Sequence, residues 1–588
     1  MRKTLFILFA FFAIFFSNRA SSQIGLQWIA AGIPSTNFYN GEEYWGKVAV
    51  DDSGNVYETS LNIGDSAVFG SIILLNPRGG GYQTLIVKTN PSGGFVWGIC
   101  TSISKCVPLS IVPDKLGSLY VLGAFNGPRL MVGNKLISKR IPVATNTYFL
   151  AKISPGGSVI WAKDVGDYSV GSYEYPVDYD FSDVCRGGLG IDTLGDIYVT
   201  GAFSDLHFHV DSTIVTNTDT IPDPFWEVYT FDFFLENLDT SGKVRWIKSF
   251  GGLGNDYSNL TAVTEVGDVV IQGYVGYDTV NFGSAKLFNT GYLAWFSHEG
   301  SLMKVVDIGL QGSPIGDMKS DPDNNVYLLG DIGDSVTMGP STLLGQGGAD
   351  MFIVKYDSSG SIAWANSAGG SGQDIGYSIA LDSCRNIFVS GAMAQGINMT
   401  PGYTMSFNGH LLKQPSDSCC DPMFVAEYDN SGNYQQSIAL MTGGDDVNGI
   451  AVDKKGNFYV GADYVSIQPW IIGKDTLPTT LGSEYAYIAK YQYDSIGCRN
   501  YDWAVSNVNV LPRPTSNDIE IYPNPATNEL TISSSFTIKN VEITNSVGQK
   551  VYAQNCNAKL VTANIATFPP GIYFIKINGT EVRKFVKQ

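Results

Sequence analysis

Residues able to do chemistry are few and scattered in this chain. Its four histidines, His207, His209, His298 and His410, are too dispersed in sequence to announce a catalytic triad or a metal cluster. His207-Phe-His209 is the exception in spacing. Residues two apart on a strand share a face, so these imidazoles form either half of a metal site or a solvated edge pair. Asp178-Tyr-Asp180 and Asp321-Pro-Asp323 could each offer oxygen ligands to Ca2+, but neither continues at the spacing of an EF-hand loop. Gly-Gly-x-Gly-x-Asp occurs at 251–256 and 369–374. That pattern binds Ca2+ when successive turns of a β-helix share each ion. Here the copies are isolated, which favours glycines that shape loops. Ca2+ is therefore the one cofactor the sequence raises, and no other is expected. No G-x-S-x-G, H-E-x-x-H or P-loop occurs. Acidic loop residues could still converge in space as a carboxylate pair.

The elements that position these residues are repeats. Residues 349–393 read as strand, turn, strand, Gly-rich break, strand, turn, strand. Seven copies of one turn-bearing hairpin occur at 48–57, 110–125, 190–203, 262–274, 318–330, 379–392 and 450–462. They alternate with seven copies of a second, at 84–94, 149–157, 233–242, 293–300, 351–360, 423–432 and 487–497. Asp in such a turn bonds backbone N–H groups two residues on, and Gly accepts positive φ. Asp51 with Gly54, Asp357 with Gly360 and Asp453 with Gly456 are thus read as structural turn residues. Trp97, Trp161, Trp246 and Trp364 sit four residues past a turn glycine and are expected to pack between repeats.

Two hairpins make a four-stranded antiparallel sheet that cannot bury both faces alone, whereas sheets stacked radially can. The expected fold is all-β: a seven-bladed β-propeller of four-stranded antiparallel blades, followed by a small β-sandwich. Repeats average about 67 residues, against ~40–50 for common blades, and the excess lies between the two hairpins. Residues 28–50 resemble 364–381 in order, so the chain is expected to begin with the last strand of the blade formed by 450–494. A strand near Asp502-Trp503 competes for that place. Pairing the chain's two ends removes a sheet edge that would invite aggregation.

Composition agrees with this class. Of 588 residues, 66 are Gly, 12% are aromatic and only 16% are charged. Arg2 and Lys3 precede the apolar run Leu5–Phe16 and then small residues, the order of a secretory signal peptide over 1–22. That run is short for a membrane span, and no transmembrane segment is expected in the mature protein. Eight cysteines suit an oxidising destination: either two or three local staples, with Cys100–Cys106 the best placed, or unpaired buried thiols. Net charge is −18; the first 22 residues and 519–588 each carry +3, leaving −24 on the body. Such a field disfavours nucleic acid and anionic membranes as partners.

The D-x-x-G-N-hydrophobic-Tyr turns (Asp51–Tyr57, Asp453–Tyr459) and the strand Phe352–Asp357 resemble the bacterial SBBP-type seven-bladed propeller repeats, over roughly 28–500. The D-x2-G-x3-W spacing departs from the Asp…Gly…Trp blades of quinone-dependent dehydrogenases and from sialidase Asp-boxes. After the propeller (23–508), a Pro-rich linker (509–518) leads to 519–588. There Tyr522-Pro523-Asn524-Pro525, Gly548 within Val547–Val551, Gly571 and Tyr573 within Pro570–Tyr573, and Lys584 and Lys587 at the basic end resemble the C-terminal sorting domain of type IX secretion cargo in Bacteroidota. That resemblance implies the type IX translocon and its sorting peptidase as partners, and a secreted or outer-membrane cell-surface location. The expected function is a non-catalytic binding or adhesion scaffold for glycan or protein. A polysaccharide-active propeller, a glycoside hydrolase or lyase, is the alternative and would need carboxylates ~5–10 Å apart.

Overall fold

The computed structural model describes residues 24–31, 33–34, 46–62, 66–75, 83–139, 146–168, 187–204, 206–219, 230–264, 267–283, 285–310, 315–338, 341–395, 403–414, 422–440, 447–464, 470–472, 475–477, 485–493, 519–523, 526–545, 549–579 and 581–588. Among these every regular element is a strand, and no helix is long and apolar enough to cross a membrane. The signal segment, the linker, Asp178, Asp180 and the competing strand near Trp503 lie outside the described residues. The chain divides into two compact units, residues 1–499 and 500–588.

In the larger unit the described residues form seven four-stranded antiparallel meanders, labelled sheets I to VII. Sheet I comprises Lys47–Val50, Val56–Asn62, Gln83–Thr89 and Phe95–Ser102. Sheet II comprises Lys105–Pro113, Leu119–Asn126, Asn146–Ile153 and Val159–Tyr168. Sheet III comprises Gly187–Ile191, Ile197–Phe203, Asp232–Leu238 and Val244–Phe250. Sheet IV comprises Tyr257–Val263, Val269–Phe282, Ala285–Phe296 and Leu302–Asp307. Sheet V comprises Ile315–Ser320, Val326–Ile332, Asp350–Tyr356 and Ile362–Gly369. Sheet VI comprises Gln373–Leu381, Ile387–Gln395, Met423–Tyr428 and Tyr434–Leu440. Sheet VII comprises Val447–Val452, Phe458–Tyr464 and Tyr485–Tyr493, and takes its fourth strand from Ile24–Ala31. There Ile24 pairs with Tyr493 and Ala31 with Tyr487, so the two ends of the unit share one sheet.

The second and third strands explain why the sheets must stack. Ile197–Phe203, Val326–Ile332 and Asp350–Tyr356 are buried along their whole length, on both faces. Such apolar, β-branched runs need a cover on each side, which the neighbouring sheets provide. Strands first in their sheets lie side by side, I against II, II against III and so on to VII, and VII lies against I again.

The segment between each pair of hairpins is itself a two-stranded hairpin: 66–75, 129–138, 207–216, the tip 279–288, 336–343, 404–413 and 470–477. Three of them add to the last strand of the preceding sheet: Val132 pairs with Thr101, His209 with Asp167, and Phe407 with Ala368. These pairings extend one blade-like sheet with strands from the next.

Of the two readings of the cysteines, unpaired thiols hold at Cys100 and Cys106, both of which are free, and the staple between them is not formed. Cys100 ends sheet I and packs beside Phe69 and Leu74, whereas Cys106 begins sheet II and faces the core between sheets I and II, around Ile111 and Leu119. Burial pushes both thiols up to about 12. Cys384 is disulfide-bonded.

Removing Ile24–Pro34 strips sheet VII of its outer strand. Thermal unfolding of that variant is expected at least about 10 °C below the intact chain, and an unchanged transition would contradict the shared sheet.

Candidate functional site

The turns build one recurring seam between neighbouring sheets. Asp51 Oδ1 accepts the backbone N–H groups of Ser53 and Asn55, and Oδ2 accepts the Asn55 amide. The Tyr57 hydroxyl lies 2.9 Å from both Asp51 Oδ2 and the Gly117 carbonyl of sheet II. Lys88 Nζ stands 3.9 Å from Asp51 and 4.9 Å from the centre of the Tyr57 ring, and donates to Pro155 O. Burial lowers the Lys88 pKa, with Asp51 opposing. Trp97 Nε1 donates to the same Pro155 carbonyl.

Sheet V repeats this with Asp321, Asn325, Tyr327, Lys355 and Trp364, whose indole donates to Asn430 O in sheet VI. Sheet VII repeats it with Asp453, Asn457, Tyr459 and Lys490, which donates to Pro91 O. Trp161 and Trp246 reach Thr240 O and His298 O in the same way, and in sheet IV Lys304 takes the tryptophan's place on Ser358 O. Gly54, Gly360 and Gly456 have φ of +80°, +88° and +78°. Asp357 accepts the N–H groups of Ser359 and Ser361. The glycine is required twice at 432: φ is +81°, and a Cβ there would lie 2.6 Å from Trp364.

The Gly-Gly-x-Gly-x-Asp loops lie at the opposite ends of the strands and bury paired carboxylates. Asp256 accepts Gly252 N at 2.7 Å and Gly276 N at 2.9 Å, and Asp232 accepts Thr218 N. A Cβ on Gly251 would fall 1.8 Å from Asp232 Oδ1, so only glycine fits. The second copy repeats the plan: Asp374 accepts Gly370 N and the Tyr403 hydroxyl, Asp350 accepts Gln346 N, and Asp350 and Asp374 are bridge partners. Asp256 and Asp374 take N–H and O–H donors, whereas Asp232 Oδ1 and Asp350 Oδ1 are buried without a hydrogen-bond partner; further oxygen ligands for Ca2+ would have to come from elsewhere. Burial pushes Asp232 and Asp256 up to about 7.

Sheet III departs from the seam. Its turn holds Asp192 and, four residues on, Asp196 where sheets I, V and VII have asparagine. His298 from the turn of sheet IV sits against both, Nδ1 3.4 Å from Asp192 Oδ2 and Nε2 3.4 Å from Asp196 Oδ2. Arg245 reaches Asp196 at 2.7 Å, and Tyr198 bonds His298 Nδ1 at 2.9 Å. Burial raises the Asp196 pKa, with Arg245 opposing. The other histidines are elsewhere: His207 is exposed, His209 is on the same short strand, and His410 stacks on Tyr434. Asp321 is consumed by its turn and Asp323 by Arg385. The Asp-for-Asn exchange and a histidine at the position of Pro91, Pro155 and Asn430 were the signals in the sequence.

The smaller unit wraps a five-stranded sheet around Leu530, Ile532, Val541, Ile543, Ile575 and Phe585. Glu529–Asn545 pairs with Ile519–Tyr522 at its start and with Gly571–Ile577 at its end. Tyr522 and Pro523 are exposed at the end of the first strand; Asn524, Pro525 and Gly548 lie outside the described residues. Gly571 opens its strand, and Tyr573 is buried, stacked on Phe585 and donating to Pro569 O. Lys584 is exposed, whereas Lys587 is buried beside Ala526 and donates to Gln588 O.

Residues 520–588 match the family described as the secretion system C-terminal sorting domain. The tail implies export to or beyond the cell surface by type IX secretion, and contact with that machinery. Regulatory protein FlaEY of Caulobacter vibrioides is 30% identical over 202 residues, 33% of this chain and 20% of that protein. The chain spans about a fifth or less of the length of the curated relatives it matches. A Dyadobacter fermentans protein of unknown function is similar at 10% identity and a TM-score of 0.33, covering 79% of this chain and 98% of that one. The leech intramolecular trans-sialidase is similar at 9% identity and a TM-score of 0.33, covering 78% and 70%.

Asp232 and Asp256 hold protons more tightly folded than unfolded, since their folded values near 7 exceed the ordinary ~4. Folding therefore takes up protons between pH ~4 and ~7, and stability should fall as pH rises through that window. Asp232→Asn is expected to flatten the decline, measured as denaturation midpoint against pH. Truncation after Phe568 should leave the protein in the periplasm, scored by cell fractionation; normal surface display would contradict the role of the tail.

Proposed function

We propose that residues 24–499 form a closed seven-bladed β-propeller of the SBBP-repeat type, displayed outside the cell as a non-catalytic scaffold that binds a protein partner along its insert hairpins. The circular succession of first strands and the sheet shared by the two ends of the larger unit support the closed ring. Two further features fit an exported protein: the disulfide at Cys384, which suits an oxidising compartment, and the charged, apolar and small-residue order of the first 22 residues. The mature chain would begin near Gln23 once that signal peptide is removed, and the sorting peptidase would act at the tail.

One observation carries the binding reading. Five of the insert hairpins expose a large apolar side chain beside a buried or half-buried one, Ile73 beside Leu74, Leu136 beside Ile137, Ile214 beside Val215, Phe288 beside Leu287 and Leu411 beside Leu412, and Leu344 does so just past a sixth that ends at Leu343. Exposure runs from 48% at Leu136 to 70% at Leu411. The second strands 72–75, 135–138, 213–216 and 410–413 are also the last in their sheets. An edge strand with outward apolar residues offers both ladder hydrogen bonds and side-chain burial to an extended protein segment. Sugars would find few polar groups there. The alternative as a polysaccharide-active enzyme gains little from the two carboxylate pairs, because Asp232, Asp256, Asp350 and Asp374 are each at most 1% exposed.

The test compares the full chain with an Ile214→Lys/Phe288→Lys/Leu411→Lys variant in cross-linking at the cell surface and on a glycan array. Loss of cross-linked protein partners at an unchanged melting temperature is the expected result. Partners retained by the variant, or glycan binding alone, would overturn the reading.

A further inference from the structure

Positive charge is concentrated in one sector of an acidic protein. Residues 66–163 hold ten Lys and Arg against a single acid, Asp114, a net +9 in a chain of −18, which leaves −27 on the remainder. The sector runs from the insert hairpin of sheet I into the last strand of sheet II. Three of its cations are matched: Lys88 and Lys152 stand 3.9 Å from Asp51 and Asp114, and Lys163 pairs with Asp211 at 3.1 Å. Four others, Lys105, Arg129, Lys135 and Lys139, gather around the insert hairpin of sheet II.

The backbone brings these four residues together. Lys105 pairs with Asn126 where strand 119–126 leads into the hairpin, and the neighbouring Ser104 hydroxyl donates to Arg129 O. Arg129 pairs with Ser138, and the Lys139 N–H donates to Pro128 O at 3.1 Å, which places Lys139 beside the start of the same strand. Lys135 follows the two-residue turn Gly133-Asn134. Arg129 is exposed, and among the described residues neither it nor Lys135 has a carboxylate within ion-pairing distance. No other insert hairpin holds two Lys or Arg. Met131 pairs with Ser102 of sheet I, so strand 135–138 is the outer edge of that extended sheet.

We propose that this edge captures an extended acidic segment of the protein partner, which pairs with Lys135–Ser138 and sets its carboxylates against Arg129, Lys135 and Lys139. The inference rests on the binding reading above and names what one hairpin selects. Ladder hydrogen bonds give affinity without regard to sequence, so the side chains around the edge do the choosing. Arg129 offers a planar fork that fits a carboxylate, and the exposed Leu136 offers apolar cover to a residue between two acids. Lysine on an edge strand also keeps it from pairing with its own copies. Charge on the edge strand alone meets that need; Arg129, on the inner strand, and Lys139, past the hairpin's end, add to it. The acidic remainder of the chain does not oppose the contact, because charges more than ~8 Å away are largely screened at physiological salt.

The test titrates the full chain, by fluorescence anisotropy, with three labelled probes: a short peptide alternating Glu and Val, its Lys–Val counterpart, and an alginate oligomer as an acidic sugar. The Glu–Val peptide is expected to bind, the Lys–Val peptide is not, and affinity should fall as NaCl is raised. Arg129→Glu/Lys135→Glu should weaken Glu–Val binding at least about tenfold at an unchanged melting temperature, and Lys139→Glu should weaken it in the same direction. Equal binding of the two peptides, binding of alginate alone, or full Glu–Val affinity in the charge-reversed variants would overturn the inference. Loss of cross-linked partners in the Ile214→Lys/Phe288→Lys/Leu411→Lys variant, together with no Glu–Val binding here, would sink this inference and leave the binding reading standing.

Discussion

The larger unit depends on one constraint: a four-stranded sheet with two apolar faces cannot stand alone in water, and sheets placed side by side still need a fixed register. The seam supplies that register. At one end of sheets I, V and VII a buried aspartate, tyrosine and lysine close a tight turn, while the lysine or a tryptophan reaches across to a single backbone carbonyl of the next sheet. Lys88 and Trp97 converge on Pro155 O, and Lys355 and Trp364 on Asn430 O. A displaced neighbour would leave a desolvated lysine and an indole N–H without acceptors, each costing about 1–3 kcal/mol. Apolar stacking is tolerant of sliding, but this polar contact is not, so it sets how the sheets meet.

The opposite end of the sheets carries different physics. There the Gly-Gly-x-Gly-x-Asp loops turn the chain from one sheet to the next, and aspartates tie the loops down by accepting backbone N–H groups. The same end bears the insert hairpins, several of which pair with the preceding sheet. One end therefore spends its polar groups on holding sheets together, and the other carries edge strands and outward apolar residues where copies are free to differ. Sheet III shows that the holding end can also change: with Asp196 in place of asparagine and Asn237 in place of lysine, two carboxylates are set against Arg245 and His298.

Much of this was legible in residue order. Asp51, Asp321 and Asp453 with their glycine or asparagine partners mark tight turns, because those side chains satisfy local N–H groups and those backbones accept positive φ. The insert hairpins carry a comparable signal that periodicity in the main repeat obscures: Phe69-Gly-Ser-Ile72, Val132-Gly-Asn-Lys135, Val210-Asp-Ser-Thr213 and Phe407-Asn-Gly-His410 are two-residue turns, with Gly70, Gly133, Asp211 and Asn408 all at positive φ. Repeat length alone marks these segments only as an excess between the two hairpins and does not show that they are strands. The cysteines mislead for a related reason. Cys100 and Cys106 are six residues apart, but the intervening turn passes from one sheet to the next, so the thiols enter different cores.

The sequence by itself determined the strand-forming repeat, its turns, the tryptophans that mark sheet contacts, and the basic, turn-rich tail that matches a sorting domain. These follow from local rules: side-chain alternation, turn propensity and composition act over a few residues. Only the tertiary structure decided which residues meet. Pairing Ile24–Ala31 with Tyr485–Tyr493, setting Asp232 against Gly251, and bringing His298 to Asp192 and Asp196 across about a hundred positions depend on the order in which sheets stack. That order arises from burying two-faced sheets against each other, a global requirement that no short stretch of sequence records.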